Sequence, residues 1–343
     1  MTGDYLWDRS GWPDPELVRL ERLLGTLGYQ PAPAARTITA PGTRHPRSRS
    51  FLVALGATAA AVIALVTLVW WEGARPIPGL AVTRVAGTPT IASRPMTDGQ
   101  ELAVGRWLET DGAARASIDI ARVGRVDVEP DTQLRLLSSR PGDYRLHLAR
   151  GTMEAVIWAP PGQFSVRTPS STAVDLGCIY TMTVDDDGVG LVKVTMGWVG
   201  FEWRGRESFI PAGAVCVTRP GFGPGTPHYE DTSAAFREAL TMIDVHDGSG
   251  EVRSAALGRL LDEARARDVV TLWHLLSRVD RDERDRVFDR LAQFVPPPPG
   301  VTREGIRAGR RETLDLWWDA LDLGTASWWR TWKQQWRDSG VAR

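Results

Sequence analysis

The sequence predicts a multi-domain membrane protein with a single transmembrane helix, an exported all-β domain of solenoid or roll type, and an α-helical C-terminal tail. Three observations lead to this class. Residues 51–71 are uncharged, apolar residues alternate with a period of two from about residue 80 to 220, and a helical period follows. The predicted domains are a cytoplasmic segment (1–50), the transmembrane helix (51–71), the β domain (80–220), a linker (221–232) and the helical domain (233–343).

The transmembrane prediction depends on the run from Phe51 to Trp71. Its 21 residues would form a helix of roughly 30 Å, the thickness of a bilayer's hydrocarbon core. A secretory signal is one alternative, but its apolar region is shorter and lies nearer the start of a chain; a buried core helix is another. Arg44, Arg47 and Arg49 precede the run and Glu72 follows it, so the N terminus is predicted to be cytoplasmic and the C terminus periplasmic.

The segment before this run contains one predicted helix with an unpartnered apolar face. Asp14 and Pro15 are typical of a helix start. An isolated helix of this length is marginal in water, so its apolar face is predicted to bind either another protein or the membrane surface. Residues 31–50, rich in Pro, Ala, Thr and Arg, are typical of a flexible linker. The apolar face consists of Leu17, Leu20, Leu24 and Leu27.

Alternating apolar residues predict the β domain, because one face of each strand must be buried and the other meets water. Gly, Pro and Asp separate the alternating segments, as in Pro160-Pro161-Gly162. The predicted strands are Ala116 to Ile120, Gly124 to Val128, Leu134 to Leu137, Tyr144 to Leu148, Met153 to Trp158, Phe164 to Thr168, Ala173 to Leu176, Tyr180 to Val184, Leu191 to Thr195, Trp198 to Trp203 and Val215 to Thr218.

Helical spacing returns after the Gly-rich stretch 221–227, and Thr302 is a predicted helix cap. A stripe of tryptophans near the C terminus, interleaved with basic residues, predicts a surface that binds a protein or a membrane. Its alternative is packing of the stripe, with Trp317 and Trp318, onto the preceding helices. The predicted helices are Ser233 to Ile243, Glu251 to Arg267, Val269 to Arg278, Arg281 to Phe294, Glu312 to Leu321 and Ser327 to Arg337, and the stripe is Trp328, Trp329, Trp332 and Trp336.

Charge and motif content argue against nucleic-acid binding and against catalysis. The formal net charge is −1, too small for a nucleic-acid footprint. No catalytic, cofactor-binding or metal-binding residue is predicted, since the five histidines are scattered and no nucleophile motif is present. His274, in an apolar helical stretch, is predicted to be a core residue. Only Lys193 and Lys333 among 41 basic residues are lysines, which is typical of a bacterial gene of high GC content.

The two cysteines, Cys178 and Cys216, both fall in the segment predicted to be exported. An oxidising compartment permits a disulfide between them if their Cα atoms approach within about 7 Å. The alternative is a pair of buried free thiols that act as small apolar side chains. Of the two, the disulfide is the prediction.

A succession of short motifs from about Leu102 to Thr218 resembles the FecR-type domain of membrane-bound regulators of extracytoplasmic-function sigma factors. The motifs are Gly105-Arg106-Trp107-Leu108-Glu109-Thr110, Ala116-Ser117-Ile118, Gly124-Arg125-Val126-Asp127-Val128, Thr132-Gln133-Leu134, Leu148-Ala149-Arg150-Gly151-Thr152-Met153, Phe164-Ser165-Val166-Arg167-Thr168-Pro169 and Val192 to Trp203 with Gly197-Trp198-Val199.

This resemblance implies a non-enzymatic signalling regulator at the bacterial inner membrane. Its partners would be a cytoplasmic sigma factor, contacted by the helix from Asp14 to Leu27, and an unidentified protein of the envelope or outer membrane. An envelope adaptor without a transcriptional role is the alternative. The chain departs from the family pattern at Leu176-Gly177-Cys178, where Gly-Thr is usual, and it has no His-x3-Cys-x2-Cys zinc motif in its short N-terminal segment.

Overall fold

The computed structural model describes residues 78–245 and 250–324, which form a mostly β domain followed by several helices. No helix in this part of the chain has the length and apolar character needed to cross a bilayer. The two longest helices have 14 residues each, about 21 Å at 1.5 Å per residue. The predicted class, a membrane protein with one transmembrane helix, is thereby corrected to a mostly β domain with a few helices. The run from Phe51 to Trp71 lies outside the described residues.

Most predicted strands are confirmed within one or two residues, and the structure adds several short ones. The strands are β1 (Leu80–Ala86), β2 (Thr90–Ile91), β3 (Arg94–Pro95), β4 (Glu101–Leu102), β5 (Trp107–Glu109), β6 (Arg115–Ile120), β7 (Gly124–Val128), β8 (Gln133–Arg140), β9 (Asp143–Ile157), β10 (Phe164–Arg167), β11 (Thr172–Asp175), β12 (Ile179–Val184), β13 (Gly190–Met196), β14 (Trp198–Trp203), β15 (Arg206–Pro211), β16 (Ala214–Arg219), β17 (Gly223–Pro224) and β18 (His228–Tyr229).

The strands form two sheets that share the long strand β9. One sheet has the order β3-β2-β5-β8-β9-β10-β11-β14-β15. The other has the order β1-β6-β7-β9-β12-β13-β16, with β17 and β18 paired to β16. Within the described residues, β9 with β10 is the parallel pair and the other pairs are antiparallel. The strands of the two sheets interleave along the chain and pair mainly antiparallel, so the domain is not a stack of parallel rungs.

Strand β9 passes from one sheet to the other at Gly151. In its first half the buried residues are Tyr144, Leu146 and Leu148. In its second half they are Met153, Ala155 and Ile157. The buried positions therefore change from even to odd numbers where the strand bends. Gly151 has φ +91°, a left-handed conformation that favours glycine, so the bend is built into the sequence. The two predicted strands of this region are one strand with a hinge.

The helices follow the second sheet's last strands and bury their apolar faces in the same core as the strands. Their bounds are α1 (Ala234–Val245), α2 (Gly250–Glu263), α3 (Val269–Leu275), α4 (Arg281–Phe294), α5 (Arg303–Arg307) and α6 (Arg311–Asp319). Thr302 caps α5 as predicted, because its Oγ1 accepts a hydrogen bond from Gly305 N at 3.0 Å. All seven residues of α3 are buried, so this helix lies inside the packed layer.

Residues 221–232, predicted to be a linker, are folded against the sheet. They contain β17 and β18, and the residues from Gly223 to Tyr229 are buried. Cys216 Sγ and Ser208 Oγ both donate to the carbonyl oxygen of Gly225, at 3.2 and 2.9 Å. This stretch therefore connects the strands to α1 through many contacts.

Candidate functional site

Aromatic side chains of the helices pack against aromatic side chains of strands β14 and β15. The ring of Trp318, on α6, lies 4.6 Å from that of Trp273, 5.8 Å from Trp198 and 6.0 Å from Phe209, measured between centroids. Trp318 and its neighbour Trp317 are buried. Trp317 and Trp318 therefore pack in the core, which agrees with the alternative that they pack onto the preceding helices. Edge-to-face contacts of this kind stabilise a junction beyond the area they bury.

His274 joins α3 to β15 through both of its ring nitrogens. Nε2 accepts a hydrogen bond from Phe209 N at 3.0 Å, and Nδ1 donates to Val270 O at 2.7 Å. One nitrogen is thus an acceptor and the other a donor, which is the pattern of neutral imidazole. Burial, with a smaller contribution from the nearby Arg278 charge, lowers the pKa of His274 to about 3. The prediction of a core histidine is confirmed.

Asp244, near the end of α1, accepts hydrogen bonds from three groups. Its carboxylate receives Thr226 N at 2.6 Å, Thr226 Oγ1 at 2.7 Å and Arg206 Nη2 at 2.7 Å. Arg278 Nη1 lies 3.6 Å from the same carboxylate. The carboxylate therefore connects helix α1 to strand β15 and to the chain after β17.

Arg278, just after α3, is a buried cation with contacts on both sides of this junction. Nη1 donates to Thr226 Oγ1 at 2.7 Å, while Nη2 donates to Glu207 O at 2.7 Å and Ser208 Oγ at 2.6 Å. Burial lowers the pKa of Arg278 to about 10, and the neighbouring Arg206 charge acts in the same direction, although Asp244 opposes it. Burial is the main cause of this shift, and Asp244 is the acid that opposes it.

A cleft of about 580 Å³ opens beside this buried pair, between β15 and the helices. We call it the arginine cleft. Five arginines and two acids contribute to its wall, so its lining carries an excess of positive charge. Guanidinium groups in this number suit an anionic ligand. The lining residues are Arg204, Gly205, Arg206, Glu207, Ile243, Asp244, Arg253, Trp273, Ser277, Arg278, Gly309, Arg311 and Leu314.

The structure does not contain the predicted disulfide, because Cys178 and Cys216 are both free and buried. Each thiol has its own acceptor: Cys178 Sγ donates to Asp175 Oδ2 at 2.7 Å, and Cys216 Sγ to Gly225 O at 3.2 Å. Burial raises the pKa of both thiols, that of Cys216 to about 12. The two cysteines are therefore buried free thiols, as the alternative to the disulfide expects. With a raised pKa, neither thiol is activated as a nucleophile.

Three threonines from three of the short sequence motifs meet at one place in the fold. Thr132 N donates to Thr110 Oγ1, and Thr152 N donates to Thr132 Oγ1, each at 2.9 Å. Thr110 Oγ1 in turn donates to Glu129 O at 2.7 Å. A Cβ on Gly151 would lie 2.3 Å from Thr132 Oγ1, so only glycine fits beside it. The motif residues thus form one connected hydrogen-bonded joint next to the hinge of β9.

The partner-binding residues predicted from sequence lie outside the described part of the chain. They are Leu17, Leu20, Leu24, Leu27, Trp328, Trp329, Trp332 and Trp336. Within residues 78–245 and 250–324, no three His, Cys, Asp or Glu side chains come together in a way that could hold a metal ion. No sequence pattern indicates the Asp244 and Arg278 pair, because charges near helix ends are usually exposed and the two residues are far apart along the chain.

Comparison with known proteins gives only distant similarity. No family model and no curated protein matches the chain. Two crystal structures from Parabacteroides distasonis ATCC 8503, described as a "putative anti-sigma factor" and solved at 1.65 and 2.50 Å, resemble part of it with 15% identity. The first covers 40% of this chain and 64% of the solved chain, with a TM-score of 0.33. The second covers 45% and 73%, with a TM-score of 0.32. Similarity at this level does not assign the chain to a family.

Proposed function

We propose that the chain is a non-catalytic signalling regulator of the FecR type. In this proposal the β domain and its helices receive a ligand or a protein partner, and the segment 1–50 binds an extracytoplasmic-function sigma factor. The binding residues in that segment are the apolar face Leu17, Leu20, Leu24 and Leu27.

The hydrogen-bonded joint of Thr110, Thr132 and Thr152 is the observation that carries this proposal. These residues, with Gly151, come from three separate FecR-like motifs. Here they are linked by two hydrogen bonds of 2.9 Å around a position that only glycine fits. The residues on which the resemblance depends therefore contact one another in this fold, and this supports the proposal.

The state of the reactive side chains supports a role in binding. His274 uses both ring nitrogens in hydrogen bonds to the backbone, which leaves neither free to move a proton. The thiols of Cys178 and Cys216 are buried, and their pKa values are raised well above the ordinary range. The arginine cleft has five arginines in its lining and suits the binding of an anion.

The double variant Leu20→Asp, Leu24→Asp in the full chain tests the proposal in the organism that makes it. If the apolar face binds a sigma factor, two buried carboxylates abolish the contact, and transcription changes for the genes that this one sigma factor reads. Arg19→Asp, which adds an aspartate away from the apolar face, is the matched control and is expected to leave transcription unchanged. An unchanged transcript profile in the double variant, with normal protein levels, would favour the adaptor function instead.

A further inference from the structure

The arginine cleft has more cationic groups than its own acids can neutralise. Its lining includes five arginines, Arg204, Arg206, Arg253, Arg278 and Arg311, and two acids, Glu207 and Asp244. One further acid, the exposed Asp280 outside the lining, lies 3.8 Å from Arg253. Asp244 already accepts hydrogen bonds from Thr226 and Arg206. Glu207 lies 3.9 Å from Arg311, a distance that gives a weak pairing. The cleft therefore keeps a net positive charge.

Several N–H groups at this cleft have no acceptor. The Nε atoms of Arg206, Arg253 and Arg278 are buried and have no hydrogen-bond partner. The Arg278 side chain is 4% exposed, so its Nε–H has little access to bulk water. A buried donor without a partner is costly, and a charged one more so. These groups belong to side chains that line the cleft, so the protein's own acceptors do not satisfy every donor of its arginines.

The other part of the wall is apolar. Ile243, Trp273 and Leu314 line it beside the arginines. A volume of about 580 Å³ lies within the usual range for small-molecule sites, which combine an apolar surface with a few converging polar groups. A ligand that fills this space would carry an anionic group at one end and an apolar or aromatic group at the other.

We propose that the arginine cleft binds a small organic oxyanion, a carboxylate or a phosphate ester attached to an apolar or aromatic group. Planar guanidinium groups match both kinds of oxyanion with paired hydrogen bonds. The cleft is lined by β15, by α1, α2, α3 and α6, and by the loops after α3 and α5, so a bound ligand would also tie the helices to the sheet. This inference concerns the described residues alone and does not depend on sigma-factor binding by the N-terminal segment.

Phenyl phosphate and benzoate are suitable probes, with benzyl alcohol as the neutral analogue. Binding to the purified full chain would be measured by isothermal titration calorimetry and by the shift in melting temperature, both at constant ionic strength. We expect saturable binding of at least one of the two anions with a submillimolar Kd, a higher melting temperature, and no effect of benzyl alcohol.

Variants of the exposed arginines locate the binding. Arg204→Gln with Arg311→Gln removes two charges from the rim, and both side chains are exposed, so the fold is expected to stay intact. The double variant should weaken binding about tenfold or more. Arg310→Gln, the exposed neighbour of Arg311 outside the lining, is the matched control and should bind as the wild type does.

Two results would overturn the proposal. The first is the absence of saturable binding of both anions up to 10 mM, about ten times the upper limit expected for Kd. The second is equal loss of affinity in the double variant and in the Arg310→Gln control, because that would indicate general attraction to surface charge. Since the probes act on the described residues, either failure would leave the sigma-factor proposal untouched.

Discussion

Replacing His274 by glutamine tests whether the helices are held on β15 by a neutral imidazole. The side chain donates from Nδ1 to Val270 O and accepts at Nε2 from Phe209 N. Glutamine can place its amide oxygen near the position of Nε2 and keep the hydrogen bond from Phe209, but it loses the one to Val270. At pH 8 we expect the free energy of unfolding to fall by about 1–3 kcal/mol, the cost of one buried hydrogen bond and some packing.

The pH dependence gives the sharper result. The pKa of His274 is lowered in the folded chain from 6.5 to about 3, so the neutral ring stabilises the fold above pH 6.5, and this contribution is lost as the pH falls. At pH 5 the ring would bind a proton in the unfolded chain but not in the folded one. At about 1.36 kcal/mol per pH unit over roughly 1.5 units, the wild type loses about 2 kcal/mol through this group.

Urea unfolding at pH 8 and pH 5, followed by tryptophan fluorescence, measures this difference. The stability gap between wild type and His274→Gln should shrink by about 2 kcal/mol at the lower pH. The other histidines are present in both proteins, so their contributions cancel in the comparison. A gap of the same size at both pH values would show that His274 is not kept neutral, and the proposed attachment of α3 to β15 would be wrong.

Two further predictions concern the β domain. Gly151→Ala should cost at least about 3 kcal/mol of unfolding free energy, because its Cβ would lie 2.3 Å from Thr132 Oγ1. The control Gly142→Ala, with a similar positive φ and no atom within 4 Å, should cost about 1 kcal/mol. Equal losses of the two variants in urea unfolding would refute the hinge. Burial raises the pKa of Asp175 to about 7, so the wild type loses stability as the pH rises and this carboxyl ionises in the folded chain. From pH 5 to pH 8 the unfolding free energy of Asp175→Asn should therefore rise by about 2–3 kcal/mol relative to that of the wild type. A constant difference over that range would contradict the buried position of this carboxyl.

Alternation predicted most of the sheet but missed the places where a strand is covered on both faces. Gly124 to Val128 and Trp198 to Trp203 were predicted with their observed bounds. Strand β15 was missed, since four consecutive residues, from Ser208 to Pro211, are buried between the sheet and the helices. A strand buried on both sides shows no period of two. The hinge at Gly151 was also missed, because alternation on either side of it predicts two strands.

The candidate site was less accessible to sequence reasoning than the fold. His274 was predicted as a core residue from its apolar neighbours, and its buried position confirms this. Asp244 and Arg278 are brought together only by the docking of α1 and α3 on β15, a tertiary contact without a local pattern. The disulfide was a reasonable expectation from compartment and cysteine number, but each thiol faces a different acceptor in the fold.

Affinity purification of the full chain from the organism that produces it, followed by mass spectrometry, tests the proposed function most directly. We expect that a sigma factor is recovered with the wild-type chain and lost when Leu20 and Leu24 are both replaced by aspartate. Recovery of no sigma factor with the intact apolar face, from cells that contain normal amounts of the chain, would contradict it.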